Sequence, residues 1–299
     1  MLHGTREEFD YFECTACGCV QISDIPADLS RFYPQGYFSF RIHRDLDRNA
    51  VRRFIDPKRV RSAFGRRDGL GALAEKVSRP FDYVRWVQDA GLDPTARVLD
   101  IGCGAGKTLL NMALGGFPEP TGVDPFISET LRYSCGVTIH KESLEDFARG
   151  RTRCFDLVML HNALEHMTDP LATLTTVESL LTDRGRVLIA IPVADSWAWR
   201  HYREHWFALD PPRHLHLLTR QSMEILAREA GLEIKLRRPT SNLSQFTASE
   251  RYFRDIPMSD PRRDRELFTR GELADWSRRA KKLEAEDLAD QVIYVLGRS

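Results

Sequence analysis

Short apolar runs alternate with segments of helical spacing through most of the chain. Seven runs rich in aliphatic and β-branched residues predict strands, at 97–101, 121–124, 137–140, 155–160, 186–191, 232–236 and 291–296. Apolar residues at helical spacing predict helices between them, at 107–114, 171–181 and 221–230. Strands that are apolar on both faces and alternate with helices are typical of a parallel sheet covered on both sides. The pattern therefore predicts a doubly wound α/β domain with a mostly parallel, seven-stranded sheet.

Other parts of the chain have a different character. Residues 1–40 are rich in aromatic residues and predict a short, loop-rich arm, and residues 46–67 predict an exposed, basic and helical connector. A helix is predicted over 70–90, and residues 239–290 carry helically spaced charges that indicate an insertion before the last strand. The predicted divisions are an N-terminal cysteine-containing arm and connector at 1–68 and the α/β domain at 69–299.

Composition and charge narrow the class of protein. The chain has 43 Lys and Arg residues against 43 Asp and Glu residues, so its formal net charge is zero. This balance gives no support to nucleic acid or an anionic membrane as the main partner. The first ten residues lack an apolar h-region, and no apolar run is long enough to span a bilayer. We therefore expect a cytoplasmic protein.

An acid and a glycine-rich turn follow the first predicted strand. Asp100 stands near the end of the strand, and Gly102, Gly104 and Gly106 come at alternate positions after it. Glycines let the backbone turn sharply and approach a ligand closely. The helix that follows offers free N–H groups and the positive end of its dipole to a carboxylate or phosphate. The turn is therefore a candidate binding site.

A second acid, Asp124, ends the second predicted strand, where a carboxylate can accept hydrogen bonds from both hydroxyls of a ribose. The dinucleotide fingerprint requires a glycine where this chain has Lys107, which counts against NAD. Three alternatives stay open. The first is an NAD(P)-dependent oxidoreductase, and the second is a non-catalytic protein that binds a partner through the arm and the insertion. In the third, the glycine turn is only a tight turn that binds no ligand.

Four motifs in sequence order resemble those of the class I S-adenosylmethionine-dependent methyltransferases. They lie at 100–106, 121–124, 155–170 and 185–192. The resemblance covers residues 95–238 and the closing strand. It implies a Rossmann-like fold, S-adenosylmethionine as cofactor, and a methyl-transferring enzyme.

The resemblance also implies which residues bind the cofactor. Asp100 and the glycine turn would hold the methionine part, and Asp124 the ribose. Residues after the second and third strands would contact the adenine. His161 and Asn162 would lie beneath the cofactor, at the strand ends where open α/β sheets bind ligands. The full set is Asp100, Gly102, Cys103, Gly104, Gly106, Asp124, Pro125, Phe126, Ser143, Leu144, His161 and Asn162.

Four histidines are candidates for the base that deprotonates a hydroxyl acceptor, because histidine titrates near neutral pH. They are His161, His166, His214 and His216. The last two belong to segment 205–216, whose Trp, Pro-Pro, Arg and His residues are typical of a binding lid. Local packing is the alternative role for His214 and His216, and a structural role is favoured for His166.

Segment 205–216 also resembles a bacterial methyltransferase subgroup that carries an N-terminal cysteine cluster. Its members accompany glycan, lipid or secondary-metabolite pathways. The resemblance implies O-methylation of a sugar or another small-molecule acceptor. It leaves open the acceptor itself, the methylated atom and the oligomeric state.

Three cysteines cluster near the N-terminus, at Cys14, Cys17 and Cys19. Two thiolates at C-x-x-C spacing provide half of a tetrahedral zinc site. Cys19 and His3 are possible further ligands, at unfamiliar spacings. Zinc, free thiols and redox chemistry therefore all stay open for the cluster. The aromatic run at 32–40 either covers the mouth of the cofactor site or packs the arm.

Overall fold

The computed structural model describes residues 7–33, 38–42, 50–65 and 81–299. In these ranges the strands are β1 (Tyr11–Glu13), β2 (Val20–Ile22), β3 (Val98–Ile101), β4 (Thr121–Val123), β5 (Leu131–Arg132), β6 (Thr138–His140), β7 (Phe155–His161), β8 (Leu181–Pro192), β9 (His216–Leu217), β10 (Leu232–Thr240) and β11 (Gln291–Arg298).

The α-helices in the same ranges are α1 (Ala50–Ala63), α2 (Asp82–Asp89), α3 (Lys107–Leu114), α4 (Leu144–Ala148), α5 (Pro170–Leu180), α6 (Trp197–Tyr202), α7 (Arg220–Glu229), α8 (Ser244–Phe253), α9 (Asp264–Leu267) and α10 (Arg270–Ala285). None of these helices combines the length and the apolar character that crossing a bilayer requires.

The main sheet has the order β10-β11-β8-β7-β3-β4-β6-β5. The five central strands, from β8 to β6, run parallel, whereas β11 is antiparallel to both β8 and β10. The α/β fold predicted from the apolar runs is confirmed. The sheet has eight strands rather than seven, because β5 adds a two-residue antiparallel edge to β6. Two residues are too few to leave an apolar signal in the sequence.

Alternate residues of the central strands pack on opposite faces of the sheet. On β3, Val98 belongs to the cluster that contains α2 and α3, and Leu99 belongs to the cluster that contains α5 and α7. Both side chains are almost completely buried. Burial on both faces explains why the strands read as continuous apolar runs.

Three helices, α8, α9 and α10, lie between β10 and β11. They pack around their own aromatic cluster, in which the Phe246 ring stacks on the Trp276 ring at 6.1 Å. Within residues 239–290 the helical spacing of the charges begins after Pro261 and corresponds to α10. α8 lies before Pro261, where the sequence predicts no helix. The amide of Phe207 donates a hydrogen bond to Ser249 Oγ on α8, which ties the helices to the segment after β8.

The arm forms a small sheet that the sequence did not reveal. β1 and β2 pair antiparallel, and β2 pairs antiparallel with β9 from the distant segment after β8. The Thr219 hydroxyl donates a hydrogen bond to the carbonyl of Cys17 and also caps α7. The predicted boundary at 68/69 and most of the predicted helix over 70–90 lie outside the described residues. In the described part of that range, α2 begins at Asp82, after Phe81 in an extended conformation.

Thr219→Val removes both the cap of α7 and the bond to the arm. We expect it to lower the free energy of unfolding by about 1–3 kcal/mol, since a lost cap and a lost buried hydrogen bond each contribute about 1 kcal/mol. We also expect faster proteolysis within residues 7–33. Denaturant unfolding and limited proteolysis measure the two effects. Thr219→Ser keeps the hydroxyl and serves as the control. Equal behaviour of the two variants would contradict this role of the hydroxyl.

Candidate functional site

The turn after β3 is built from glycines in the left-handed region. Gly102, Gly104 and Gly106 have φ values of 70°, 56° and 75°. The Gly102 amide donates a hydrogen bond to the carbonyl of Val123 at 2.8 Å, which joins the turn to β4. α3 begins directly after Gly106. The start of α3 therefore lies at the carboxyl end of β3, and the binding of a ligand by its N–H groups stays a prediction.

The same turn is crowded by its neighbours. A Cβ atom on Gly104 would lie 2.2 Å from the carbonyl oxygen of Ser39, and one on Gly102 would lie 2.8 Å from the Ala163 Cβ. Next to Gly104, the Ala105 amide donates a hydrogen bond to Ser39 O at 2.7 Å. The arm therefore rests directly on the turn, and Gly104 provides the space for it.

Two buried acids stand side by side at this edge. Asp100 on β3 and Asp124 after β4 are each 5 % exposed. Burial, with a contribution from the charge of Asp124, raises the pKa of Asp100 to about 8. Burial also raises the pKa of Asp124, although its carboxylate accepts hydrogen bonds from the amides of Gly104 and Phe126, at 2.8 and 2.9 Å. A positively charged ligand would favour the ionised forms of these two buried acids, so the pair favours binding of such a ligand.

A cavity of about 550 Å³ opens over these acids. The predicted site residues that line it are Asp100, Gly102, Cys103, Asp124, Pro125, Phe126, Ser143, Leu144, His161, Asn162, His166 and His214. Gly104 and Gly106 shape the turn without lining the cavity. The structure thus brings most of the predicted set to one place.

The arm supplies part of the wall through Leu29, Tyr33, Ser39 and Phe40. The Tyr33 ring stacks on the Phe126 ring, with centroids 4.9 Å apart and planes at 17°. Of the described residues in the aromatic run at 32–40, Tyr33, Ser39 and Phe40 line the cavity, which is the first role considered for the run. The buried Phe32 ring instead packs edge-on against the Phe9 ring, 5.7 Å away, which is the second role. Residues 34–37 lie outside the described residues.

His166 and His214 stand together on the far wall, with ring centroids 4.7 Å apart. Nδ1 of His166 lies 2.8 Å from the carbonyl of Arg213, and Nδ1 of His214 lies 2.6 Å from the carbonyl of Ala208. A carbonyl only accepts hydrogen bonds, so both Nδ1 atoms carry the hydrogen and both Nε2 atoms keep a lone pair. Burial, with the neighbouring His214, lowers the pKa of His166 to about 3, and burial also lowers the pKa of His214. Both rings are therefore neutral near pH 7.

Glu165 completes this group, and the sequence assigned it no role. It is 1 % exposed, and its Oε1 lies 4.0 Å from His214 Nε2. Burial, with Asp210 nearby, raises its pKa to about 8. The sequence could have indicated Glu165 only through its position beside His166 in the fourth-strand motif. Its contact with His214 is not visible in the sequence, because the two residues are 49 positions apart.

The other two candidate histidines lie elsewhere. His161 lines the cavity at the end of β7, with its ring 4.8 Å from that of Trp86, and burial lowers its pKa. His216 does not line the cavity. It belongs to β9, pairs in register with Gln21, and directs Nε2 at the Thr168 carbonyl, 3.3 Å away. The arm sheet thus holds His216 away from the site.

The cysteine cluster forms a tight turn at the start of the arm sheet. The Cys14 amide donates a hydrogen bond to the Cys19 carbonyl, and the Gly18 amide donates one to the Cys14 carbonyl. Cys19 is buried, and burial raises its pKa to about 11. The three thiols are not a group of ligand atoms within 4.8 Å of one another, whereas Glu165, His166 and His214 are the one such group among the described residues. Zinc at the cysteines stays a prediction, and His3 lies outside the described residues.

Comparison with known proteins matches this region to one family. The model of a methyltransferase domain covers residues 72–236, which is more than half of the chain. That range contains the turn, both buried acids and the four candidate histidines.

Two curated relatives are similar to part of this chain. An enzyme named ubiquinone biosynthesis O-methyltransferase from Xanthomonas campestris pv. campestris is 36% identical over 104 residues, which are 32% of this chain and 43% of the relative. One of the same name from Aromatoleum aromaticum is 34% identical over 113 residues, 35% of this chain and 47% of the relative. The chain thus spans less than half the length of these relatives.

Two solved structures have lower identity. The cyclase SpnF is 16% identical, with a TM-score of 0.48 over 83% of this chain and 94% of its own. A SAM-dependent methyltransferase from Archaeoglobus fulgidus is 18% identical, with a TM-score of 0.47 over 76% of this chain and 99% of its own.

Gly104→Ala tests whether the glycine turn carries the arm. We expect it to be less stable than Gly231→Ala, a matched control that has φ of 73° and open space around its Cβ position. The left-handed backbone alone costs about 1–2 kcal/mol in either variant. In Gly104→Ala the Ser39 carbonyl must also move, which adds to the loss. Thermal and denaturant unfolding compare the variants. Equal losses would mean that the arm does not rest on the turn.

Proposed function

Because this chain belongs to the family of methyltransferase domains, we propose that it transfers the methyl group of S-adenosylmethionine to a hydroxyl oxygen of a sugar or another small acceptor. The observation that carries the proposal is the pair of buried acids, Asp100 and Asp124, beside a glycine turn in one cavity. S-adenosylmethionine has a sulfonium and an ammonium group, and buried carboxylates favour such charges. NAD carries a pyrophosphate, which two adjacent acids disfavour.

The residues fit the parts of this cofactor. Asp100 faces the cavity and would take the ammonium of the methionine part. The Asp124 carboxylate is held by two backbone amides, so it is oriented to accept from ribose hydroxyls. Phe126, stacked on Tyr33, would flank the adenine together with Ser143 and Leu144. His161 and Asn162 would lie beneath the cofactor at the end of β7.

The proposed reaction requires a base that removes the proton of the acceptor hydroxyl. When bound, the cofactor supplies an electrophilic methyl group, whose S–C bond breaks as the new C–O bond forms. The proton of the acceptor hydroxyl has to leave at the same time. His166 would accept it at Nε2, because hydrogen bonding to Arg213 fixes its Nδ1 as the protonated nitrogen. The arm and segment 205–216 would exclude water and align the acceptor.

An oxygen acceptor has support from two sides. The curated relatives are named as O-methyltransferases. The cavity also holds two imidazoles that are neutral near pH 7, the form that can accept the proton of a hydroxyl. In this proposal His216 is not the base, because it lies in the arm sheet.

Asp124→Asn tests the cofactor assignment. We expect the Kd for S-adenosylmethionine to rise at least about tenfold, since hydrogen bonds to a charged group contribute about 1.5–3 kcal/mol. Isothermal titration calorimetry measures this change. Asp156→Asn, which alters a carboxylate at the opposite end of β7, should leave the Kd unchanged. Binding of NAD in place of S-adenosylmethionine by folded wild-type protein would remove the proposal.

His166→Asn tests the base at saturating S-adenosylmethionine. We expect kcat to fall by about 10²–10⁴, with the cofactor Kd unchanged. In the wild type, the lowered pKa of His166 keeps the imidazole neutral well below the ordinary value of about 6.5. The kcat of wild type should therefore not decline between pH 8 and about pH 5 from this group. Initial rates across that range measure both effects. A normal kcat in His166→Asn, or a greater loss in His216→Asn, would show that the base is another residue.

A further inference from the structure

Three titratable side chains lie close together in the wall of the cavity. A carboxylate oxygen of Glu165 and one ring nitrogen each of His166 and His214 lie within 4.8 Å of one another. Neither carboxylate oxygen of Glu165 has a hydrogen-bond partner among the described residues. A buried carboxylate without a partner is unfavourable. The group that binds here therefore has to bring hydrogen-bond donors or positive charge.

The charges around this point leave one acid unbalanced. Asp210 accepts two hydrogen bonds from the Arg213 guanidinium, at 2.5 and 2.6 Å, and the two charges offset each other. Both imidazoles are neutral. In the described part of the chain, Glu165 has no cation beside it, and burial raises its pKa to about 8. A cationic ligand would favour its ionised form and complete the site.

The spacing distinguishes two kinds of cation. His214 Nε2 and Glu165 Oε1 are 4.0 Å apart. A donor nitrogen about 2.9 Å from each fits between them with an angle of roughly 90°. A divalent metal about 2.1 Å from each would need an angle of roughly 145°, whereas adjacent ligands of a metal lie only about 3 Å apart. The observed spacing therefore fits an ammonium group better than a metal ion.

We propose that the acceptor carries a primary amine next to the hydroxyl that is methylated, and that Glu165 and His214 bind its ammonium group. The inference rests on the proposed function and names its acceptor class as an amino alcohol, of which amino sugars are examples. The ammonium would donate to Glu165 and to His214 Nε2. The neighbouring hydroxyl would reach His166, whose ring centre is 4.7 Å from that of His214. Glu165 is then a specificity-determining residue.

A matched pair of small probes tests the amine. Trans-2-aminocyclohexanol and trans-1,2-cyclohexanediol differ by one amine in place of one hydroxyl. Each is titrated by calorimetry, near neutral pH, into full-length protein saturated with S-adenosylhomocysteine. We expect the amino alcohol to bind at least about tenfold more tightly than the diol, as for a charge-assisted hydrogen bond.

The variants assign that preference to one carboxylate. Glu165→Gln keeps the shape of the side chain and should abolish the preference while leaving S-adenosylhomocysteine affinity intact. Glu224→Gln alters an exposed acid on α7, outside the cavity, and should keep the preference. The affinity for S-adenosylhomocysteine also shows that each variant is folded.

Several results would contradict the proposal that the acceptor carries an amine. These are equal affinity for the two probes, no saturable binding of either probe by protein that binds S-adenosylhomocysteine, or a preference that survives in Glu165→Gln. Tighter binding of the diol on addition of MgCl₂ or ZnCl₂, lost in Glu165→Gln, would replace the ammonium by a metal ion. Failure to bind S-adenosylhomocysteine would instead contradict the proposed function itself.

Discussion

The hydrogen bond from the Ala105 amide to the Ser39 carbonyl holds the aromatic part of the arm against the glycine turn at the cavity. It forms only because Gly104 has no Cβ atom where the Ser39 carbonyl lies. The glycine turn therefore has two tasks. It leads from β3 into α3 beside the two buried acids, and it contacts the arm that brings Tyr33 and Phe40 to the cavity.

Burial of acids is the second constraint on this site. Asp100, Asp124 and Glu165 all face one cavity, and burial raises the pKa of each. Cationic ligands lower such pKa values, so their binding is coupled to the release of protons. In the proposed reaction the sulfonium loses its charge, which weakens the attraction of the acids for the product. The same electrostatics would thus favour both binding of the methyl donor and release of the spent cofactor.

Backbone pairing across the chain decides which histidines reach the cavity. The Leu215 amide donates a hydrogen bond to the Glu165 carbonyl, and the Ile22 amide donates one to the Leu215 carbonyl. This ladder joins the arm, the fourth-strand motif and segment 205–216. It places His214 against Glu165 and His166, whereas His216 takes a place in the arm sheet. Two histidines separated by one residue thereby have different surroundings.

The sequence by itself determined the α/β fold and brought attention to the glycine turn and the two acids that the structure places at the cavity. Strands buried on both faces leave continuous apolar runs, and a turn such as that at Gly102 to Gly106 needs glycine whatever surrounds it. Only the tertiary structure decided the rest. The edge strand β5, the arm sheet and the group of Glu165, His166 and His214 depend on pairings between distant segments. These features leave no periodic pattern of apolar residues in the sequence, because each of them depends on contacts with a segment that is distant along the chain.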